Sequence, residues 1–428
     1  MAVRFTCHGC GATLDAAARL PFRCPAAGAP GDDVDHLLVP EDAPAPFGEG
    51  GAPDPYVRFR ARLSPYRLLR AAGLPDQAWL DLAGALAQAL TAVEGHGFVT
   101  TPLALQPALA LAAGHQGALW VKDETGAVSG SHKARHLALV MLYLRALEAA
   151  RLPAGQGLRA RRLAIASCGN AALAAAVVAR AADWPLDVFV PPDAEAAVVR
   201  RLTELGATRT VCPRRPGEAG DPCYLRFKEA VAAGAIPFGV QGCDNGLAIE
   251  GGRTLAWELA EGWRAAGAAP DAVYVQVGGG ALASAVAQGL AGAVAAGVLP
   301  RAPRLVAVQT EGCAPLARAW QRLGAAPLAE AARHRARFMW PWEATPHSLA
   351  HGILDDETYD WWAIAEGMRA SGGGTVVVGE DAVARAQGLA WPHAAIAASA
   401  TGTAGLAGLL AAPAPGQSVA VLFTGVER

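Results

Sequence analysis

Four short segments carry residue types that could do chemistry. The first is Lys122-Asp123-Glu124 followed by Ser129-Gly130-Ser131-His132-Lys133-Ala134-Arg135. Small residues lead into Lys133, which heads an apolar run, 136–147. A lysine at a helix N-terminus meets the positive end of the dipole, so its ammonium form is disfavoured. A neutral amine is what Schiff-base chemistry needs. A surface lysine opening a helix would read the same way. The second segment is Ser167-Cys168-Gly169-Asn170-Ala171. Glycine admits a close ligand, helix-start amides take anions, and Ser and Asn add side-chain hydrogen bonds. An ordinary N-cap uses the same residues, and Cys168 has no His/Asn pattern around it that would mark a nucleophile. The third is Val277-Gly278-Gly279-Gly280-Ala281-Leu282-Ala283-Ser284. Three glycines can wrap amides around one phosphate group at a helix start. Gly-Lys-Ser/Thr and Gly-x-Gly-x-x-Gly are both absent, so it is neither a Walker nor a dinucleotide loop. A tight turn without a ligand is the plain alternative. The fourth is Val421-Leu422-Phe423-Thr424-Gly425, a strand ending in a hydroxyl.

Lysine is scarce, which narrows the choice of amine. Among 36 basic residues only Lys122, Lys133 and Lys228 are lysines. Lys228 sits in an amphipathic stretch, 224–231, with no Gly or hydroxyl context. Lys122 ends a strand beside Asp123 and Glu124, two acids that would keep it charged.

The elements that must position these segments alternate. Strands are expected at 120–122, 163–167, 187–190, 208–212, 237–240, 273–277, 305–309 and 418–423. Helices are expected at 75–93, 136–147, 171–182, 194–205 and 281–296. Strand–helix alternation with continuous apolar strands predicts parallel sheets covered on both faces. Chemistry then belongs at the turns that follow strands, where open α/β sheets take ligands.

Bulk properties exclude other classes. The 428 residues are 53% hydrophobic and 17% charged, with a net charge of -2. Disorder is excluded for most of the chain, and no global field draws nucleic acid or an anionic membrane. No window reads as a membrane span, since Ala-rich stretches such as 281–298 are broken by Gly and Gln. Residues 1–4 lack the basic and apolar regions of a signal peptide. Eight cysteines without a secretion signal point to a reducing compartment, the cytoplasm.

Residues 1–45 stand apart. Cys7-His8-Gly9-Cys10 is followed by Cys24, but the second knuckle reads Cys24-Pro25-Ala26-Ala27. A closed zinc site needs four ligands. Asp32 or His36 could supply the fourth, and a degenerate ribbon without metal is the expectation.

Taken together, the segments resemble the fold-type II pyridoxal-phosphate enzymes, the tryptophan synthase β-subunit superfamily. The chain is most similar to threonine synthases and serine/threonine dehydratases. Lys122–Lys133 resembles the family's Lys-Asp-Glu … Thr-Gly-Ser-Phe-Lys, and Ser167–Asn170 its Ser-x-Gly-Asn loop. Glu250-Gly251-Gly252-Arg253-Thr254 resembles Glu-Gly-x-x-Thr, and Val308–Pro315 is a specific match. Coverage runs from about residue 100 to the end. The resemblance implies two three-layer α/β domains with mostly parallel sheets and the cofactor, pyridoxal 5'-phosphate, between them. The small domain would span 126–239, and the large one 46–125 and 240–428. It implies a homodimer, an amino-acid substrate, and neither nucleic acid nor membrane as partner.

The resemblance also implies roles. Lys133 would bind the cofactor covalently and, once displaced by substrate, take the α-proton. Asn170 would bond the cofactor's 3-hydroxyl. Gly278, Gly279, Gly280, Ala281 and Leu282 would hold its phosphate, and Thr424 would face its ring nitrogen. Ser167, Cys168, Gly169, Ala171, Ser131 and His132 would bind substrate. Departures shift the expected activity. Threonine synthases grip a substrate phosphate with Arg and Thr where this chain has Ala248 and Ala171. The stretch His347–Ile353 is similar to the Thr-Ile-Ala-Asp-Gly of dehydratases. Elimination from a serine- or threonine-like amino acid, or a related β-replacement, is therefore expected ahead of threonine synthesis from O-phosphohomoserine. A non-catalytic binding protein is disfavoured by intact Lys133, Asn170 and Thr424. Ala248, Ala171, His132 and His351 are the expected readers of the substrate side chain.

Overall fold

A computed structural model describes residues 3–41, 45–48, 51–218 and 220–428. Met1 and Ala2, part of the segment read for a signal peptide, lie outside the described residues. Thirteen strands are present among the described residues: β1 Arg4–Cys7, β2 Thr13–Asp15, β3 Leu38–Pro40, β4 Leu103–Leu105, β5 Leu119–Asp123, β6 Leu163–Ala166, β7 Leu186–Val190, β8 Thr208–Val211, β9 Ile236–Pro237, β10 Ala272–Gln276, β11 Arg304–Thr310, β12 Gly374–Val378 and β13 Val419–Phe423. They form three sheets. A six-stranded sheet runs β12-β11-β10-β13-β5-β4, a four-stranded one β8-β7-β6-β9, and a three-stranded one β2-β1-β3.

The molecule is mixed α/β with mostly parallel sheets, as the strand composition requires. β10 (AVYVQ) and β13 (VAVLF) are buried along their whole length. Strands buried on both faces cannot alternate polar and apolar residues. Every pairing in the six-stranded sheet is parallel except β4 with β5 at one edge. The four-stranded sheet is wholly parallel. Its edge strand β8 (TRTV) is exposed throughout, and Arg209 there discourages edge pairing. The small sheet is antiparallel.

Two long helices link the layers. Lys133–Ala149 and Gly246–Ala265 are buried over most of their lengths. They can approach closely because the second helix carries glycines where they meet. A Cβ on Gly251 would collide with the Arg135 carbonyl, and one on Gly252 with the His136 ring. Helix Ala281–Ala295 packs on the same helix, where Gly289 gives way to Ala256.

Most expected elements form within one or two residues. The expected strand at 237–240 is cut to Ile236–Pro237. There the chain turns instead, and Asn245 Nδ2 donates to the Pro237 carbonyl at 2.9 Å. β4, β12 and the helices Trp361–Ser371, Glu380–Ala394 and Ala400–Ala411 have no counterpart in the sequence reading.

Candidate active site

The site is built at the C-terminal ends of three strands. β5 leads to the turn before Lys133, β10 to the glycine run, and β13 to Thr424. Cross-links hold these ends together. Ser131 pairs with Gly425 as an antiparallel bridge. The amide of His132 donates to the Thr424 carbonyl at 3.2 Å.

Lys133 opens its helix, as the sequence predicts, and is half-buried. Burial pushes its amine below the ordinary lysine range, and the carboxylates of Asp355 and Asp360 pull the other way. Both acids are themselves pushed up, chiefly by burial, Asp360 to about 8. The Asp360 carboxyl is therefore largely protonated at neutral pH.

The glycine run follows β10 as expected. Gly278 and Gly280 are buried, and Gly280 has φ +100°, a conformation that favours glycine. A Cβ on Gly278 would collide with the Asp355 carboxylate and lie 2.8 Å from the Ile353 Cα. The Gly279 amide donates to Asp355 Oδ2 at 2.7 Å, so the loop presents an amide to a carboxyl oxygen here. Gly280 heads the helix that begins at Ala281, and Leu282 follows in its first turn.

Thr424 is buried, and its hydroxyl accepts from Gln276 Nε2 at 2.7 Å. The same amide group reaches the carbonyls of Thr401, Gly402 and Leu422. Asn170 is the first residue of its helix and is part-buried. Arg428 donates to Asn170 Oδ1 and to the Ser129 carbonyl. With Oδ1 taken, Nδ2 remains as the donor. Ser129 has φ +59° and a buried hydroxyl with no partner; the Ser131 hydroxyl is likewise buried and unpartnered. Such orphaned groups are what a polar ligand satisfies.

Two sequence expectations need correction, those for Ala248 and Lys122. Ala248 is fully buried, and its carbonyl accepts from His136 Nδ1 at 2.8 Å, so it reads no substrate. His132 is buried with Nδ1 against the Thr424 carbonyl, and burial, then Lys133, holds it well below the usual histidine range. Its Nε2 is buried without a partner, so it is a neutral group next to Lys133 whose free ring nitrogen a polar ligand would satisfy. His351 is exposed at the start of a short turn. Lys122 is held not by Asp123 but by Glu258, at 2.5 Å, with Glu124 contributing at longer range. Ser167, Cys168, Gly169 and Ala171 lie together on the turn after β6 and are exposed or part-buried. Burial first, then nearby acids, raises the Cys168 thiol, so it is no nucleophile.

Sequence reasoning missed Gln276, Asp355, Asp360 and Arg428. It also missed a fully buried charge cluster behind Lys133. Arg135 bonds Glu124 at 2.7 Å and Glu258 at 2.7 Å, and Thr101 Oγ1 joins both acids.

A family model described as pyridoxal-phosphate dependent enzyme matches residues 96–425. The chain belongs to this family. The pyridoxal-phosphate enzyme is 32% identical over 210 residues to the serine dehydratase-like protein of Mus musculus, covering 49% of this chain and 56% of that one. It is 32% identical over 193 residues to the L-serine dehydratase/L-threonine deaminase of Mus musculus, covering 45% and 53%. The match thus spans little more than half the length of each relative. The processed form of threonine deaminase isoform 2 from Solanum lycopersicum superposes with a TM-score of 0.60 at 16% identity, over 83% of this chain and 91% of that one. That likeness concerns the fold.

Pyridoxal 5'-phosphate is the cofactor of the family, and the residues of this pyridoxal-phosphate enzyme fit it. The glycine loop presents an amide to a carboxyl oxygen of Asp355 and leaves no space for a Cβ at Gly278. Lys133 offers an amine with lowered proton affinity, and Thr424 offers a hydroxyl whose own proton is free to donate. Among the described residues no helix is long and apolar enough to cross a membrane.

Proposed function

We propose that the enzyme is a lyase that removes a β-substituent from a serine- or threonine-like amino acid, giving a 2-oxo acid and ammonia, or performs the related β-replacement. The observation that carries this reading is the neutral pair formed by Thr424 and Gln276. A hydroxyl facing the ring nitrogen leaves that nitrogen largely unprotonated. Loss of a β-leaving group is then favoured over transamination. When bound, the cofactor withdraws electrons from the substrate Cα and makes the α-proton acidic.

The chain's own residues do the rest. Lys133 would bind the cofactor and, once released from it, accept the α-proton; burial lowers its proton affinity, which favours the neutral amine that both roles need. The amides of Gly278, Gly279, Gly280, Ala281 and Leu282 hold the phosphate. Asn170 donates from Nδ2 to the ring oxygen, with Arg428 fixing its amide. Ser131, Ser167, Cys168, Gly169 and Ala171 line the substrate side. Threonine synthesis is the weaker reading, because Ala171 and the buried Ala248 supply no charge-assisted bond to a second phosphate. Residues 126–239 form the small domain in this reading, and 46–125 with 240–428 the large one. Eight free thiols suit a cytoplasmic enzyme. The homodimer rests on family resemblance alone, and light scattering of the purified enzyme checks it.

The deciding experiment is a panel of β-hydroxy amino acids and O-phosphohomoserine, following oxo-acid release and the spectrum of the bound cofactor. Oxo acid from a β-hydroxy amino acid is expected. In Lys133→Ala the visible band of the attached cofactor disappears and turnover falls by about 10²–10⁴-fold. A panel that yields only threonine from O-phosphohomoserine would overturn the lyase reading.

A further inference from the structure

The ribbon at the N-terminus lacks a fourth cysteine, but the fold brings in another donor. Cys7 ends β1 and Cys10 follows on a tight turn. Gly9 has no room for a side chain, since its Cβ would meet the Asp35 carbonyl; Gly11 has φ +76°. The Gly11 amide donates back to the Cys7 carbonyl at 2.8 Å, and the Cys7 amide donates to Ala12. Cys24 lies on the facing loop, where the Ala26 amide donates to its sulfur at 3.4 Å. Ala27 stands where a second Cys-x-x-Cys would end. His36, just before β3, fills the gap from the other side of the sheet.

The donor atoms of Cys7, Cys10, Cys24 and His36 lie within 4.8 Å of one another, and three of the four residues are buried. Cys7 Sγ is 3.4 Å from His36 Nδ1, and Cys10 Sγ is 3.6 Å from Cys24 Sγ. Zinc bonds of about 2.3 Å to sulfur and about 2.0–2.1 Å to nitrogen give tetrahedral edges of about 3.8 Å (S–S) and about 3.5 Å (S–N). The observed pairs are close to these edges. The remaining ring nitrogen, His36 Nε2, lies 3.2 Å from Asp32 Oδ1. A metal-bound histidine characteristically donates its other N–H to a carboxylate, which fixes ring and tautomer.

We propose that Cys7, Cys10, Cys24 and His36 form a closed tetrahedral site for zinc, with Asp32 orienting His36. Three thiols and an imidazole suit a borderline-soft cation rather than magnesium or calcium. Four protein ligands leave no open position, so the ion is structural. Its role follows from what the ligand loop touches. The Asp35 amide donates to the Ala332 carbonyl at 2.7 Å, and Asp33 accepts from the amides of Arg335 and Ala336. Arg335 continues to Glu357 at 2.5 Å, three residues before Asp360. The ion would lock the ribbon against the segment that carries the acids facing Lys133.

The test is elemental analysis of the full chain purified without chelator, followed by exchange to Co(II). About one zinc per chain is expected, and the cobalt protein should show tetrahedral d–d bands with thiolate charge transfer. His36→Cys should retain the ion with altered charge-transfer intensity, and Cys24→Ser should lose it. Should Cys24→Ser fail to fold, Asp32→Ala leaves all four ligands and should weaken zinc retention by about 10–100-fold in a chelator competition. The proposal is overturned by a chain that neither carries zinc nor gives tetrahedral cobalt bands. A Cys10–Cys24 disulfide in the freshly purified protein, shown by mass spectrometry, overturns it equally.

Discussion

Thr424 accepts a hydrogen bond from Gln276 Nε2 and so keeps its own proton free to donate. Gln276→Leu removes that donor while leaving the threonine in place. The hydroxyl can then rotate to other acceptors, so kcat should fall about tenfold, equivalent to about 1.4 kcal/mol, with KM little changed. Steady-state kinetics check this, and an unchanged kcat would show that Thr424 needs no support. The side chains proposed to do chemistry directly are legible in the sequence. Lys133 is one of three amines, and a glycine triplet or a Gly-Asn turn is conspicuous. Gln276, Asp355 and Asp360 were not legible, because a lone Gln or Asp has no local signature. Their meaning depends on which strand end or loop faces them. Ala248 misleads for the opposite reason: its place two residues before Glu250 suggests a site position, but helix packing buries it.

At the scale of elements, the two helices Lys133–Ala149 and Gly246–Ala265 carry the site on a buried set of charges. Glu258 bonds both Lys122 and Arg135, and these cations hold its carboxyl down to about 2 despite burial. Glu258→Gln leaves Lys122 without its anion. Breaking one partner of a buried pair costs about 3–5 kcal/mol, so the urea midpoint should drop clearly. An unchanged midpoint would mean that Glu124 alone suffices. His136 lies between the same helices, and burial holds its imidazole down at about 3. The fold therefore keeps it neutral while the unfolded chain protonates it near pH 6.5. Its contribution is whole above pH 6.5 and declines as pH falls towards 3, with a slope of up to about 1.4 kcal/mol per pH unit. His132 acts with the same sign. His136→Gln should flatten the acid limb of a stability–pH curve; parallel curves for variant and parent would refute the assignment. Neither network was legible in sequence, since partners such as Glu258 lie on the far side of the four-stranded sheet in chain order.

For the whole molecule, cofactor bound at the proposed site would join the ends of β5, β10 and β13, so it should stabilise all of them together. At a free cofactor concentration one hundred times Kd the gain is about 2.7 kcal/mol. A thermal melt with added pyridoxal phosphate should move as one transition, and by much less in Lys133→Ala. A shift that leaves the main transition in place would place the cofactor elsewhere. The parallel architecture was legible because buried strands such as β10 and β13 have no polar interruption. Edge strands were not. β4 is three residues long and mostly exposed, and β12 is only half-covered, so neither carries a strong apolar run.

The charge cluster also imposes an order of events. Lys122 and Glu258 lie 136 residues apart in the chain, and Arg135 and Glu258 lie 123 apart. The whole four-stranded sheet intervenes. Contacts this remote form slowly, because the long loop must close before any attraction is gained. Before the fold closes, Lys133 lies in water with the ordinary proton affinity of a lysine, about 10.4. Burial lowers that affinity in the folded chain, so a larger share of the amine is neutral there than before folding. The amine proposed to carry the cofactor therefore gains nucleophilic character as the chain folds.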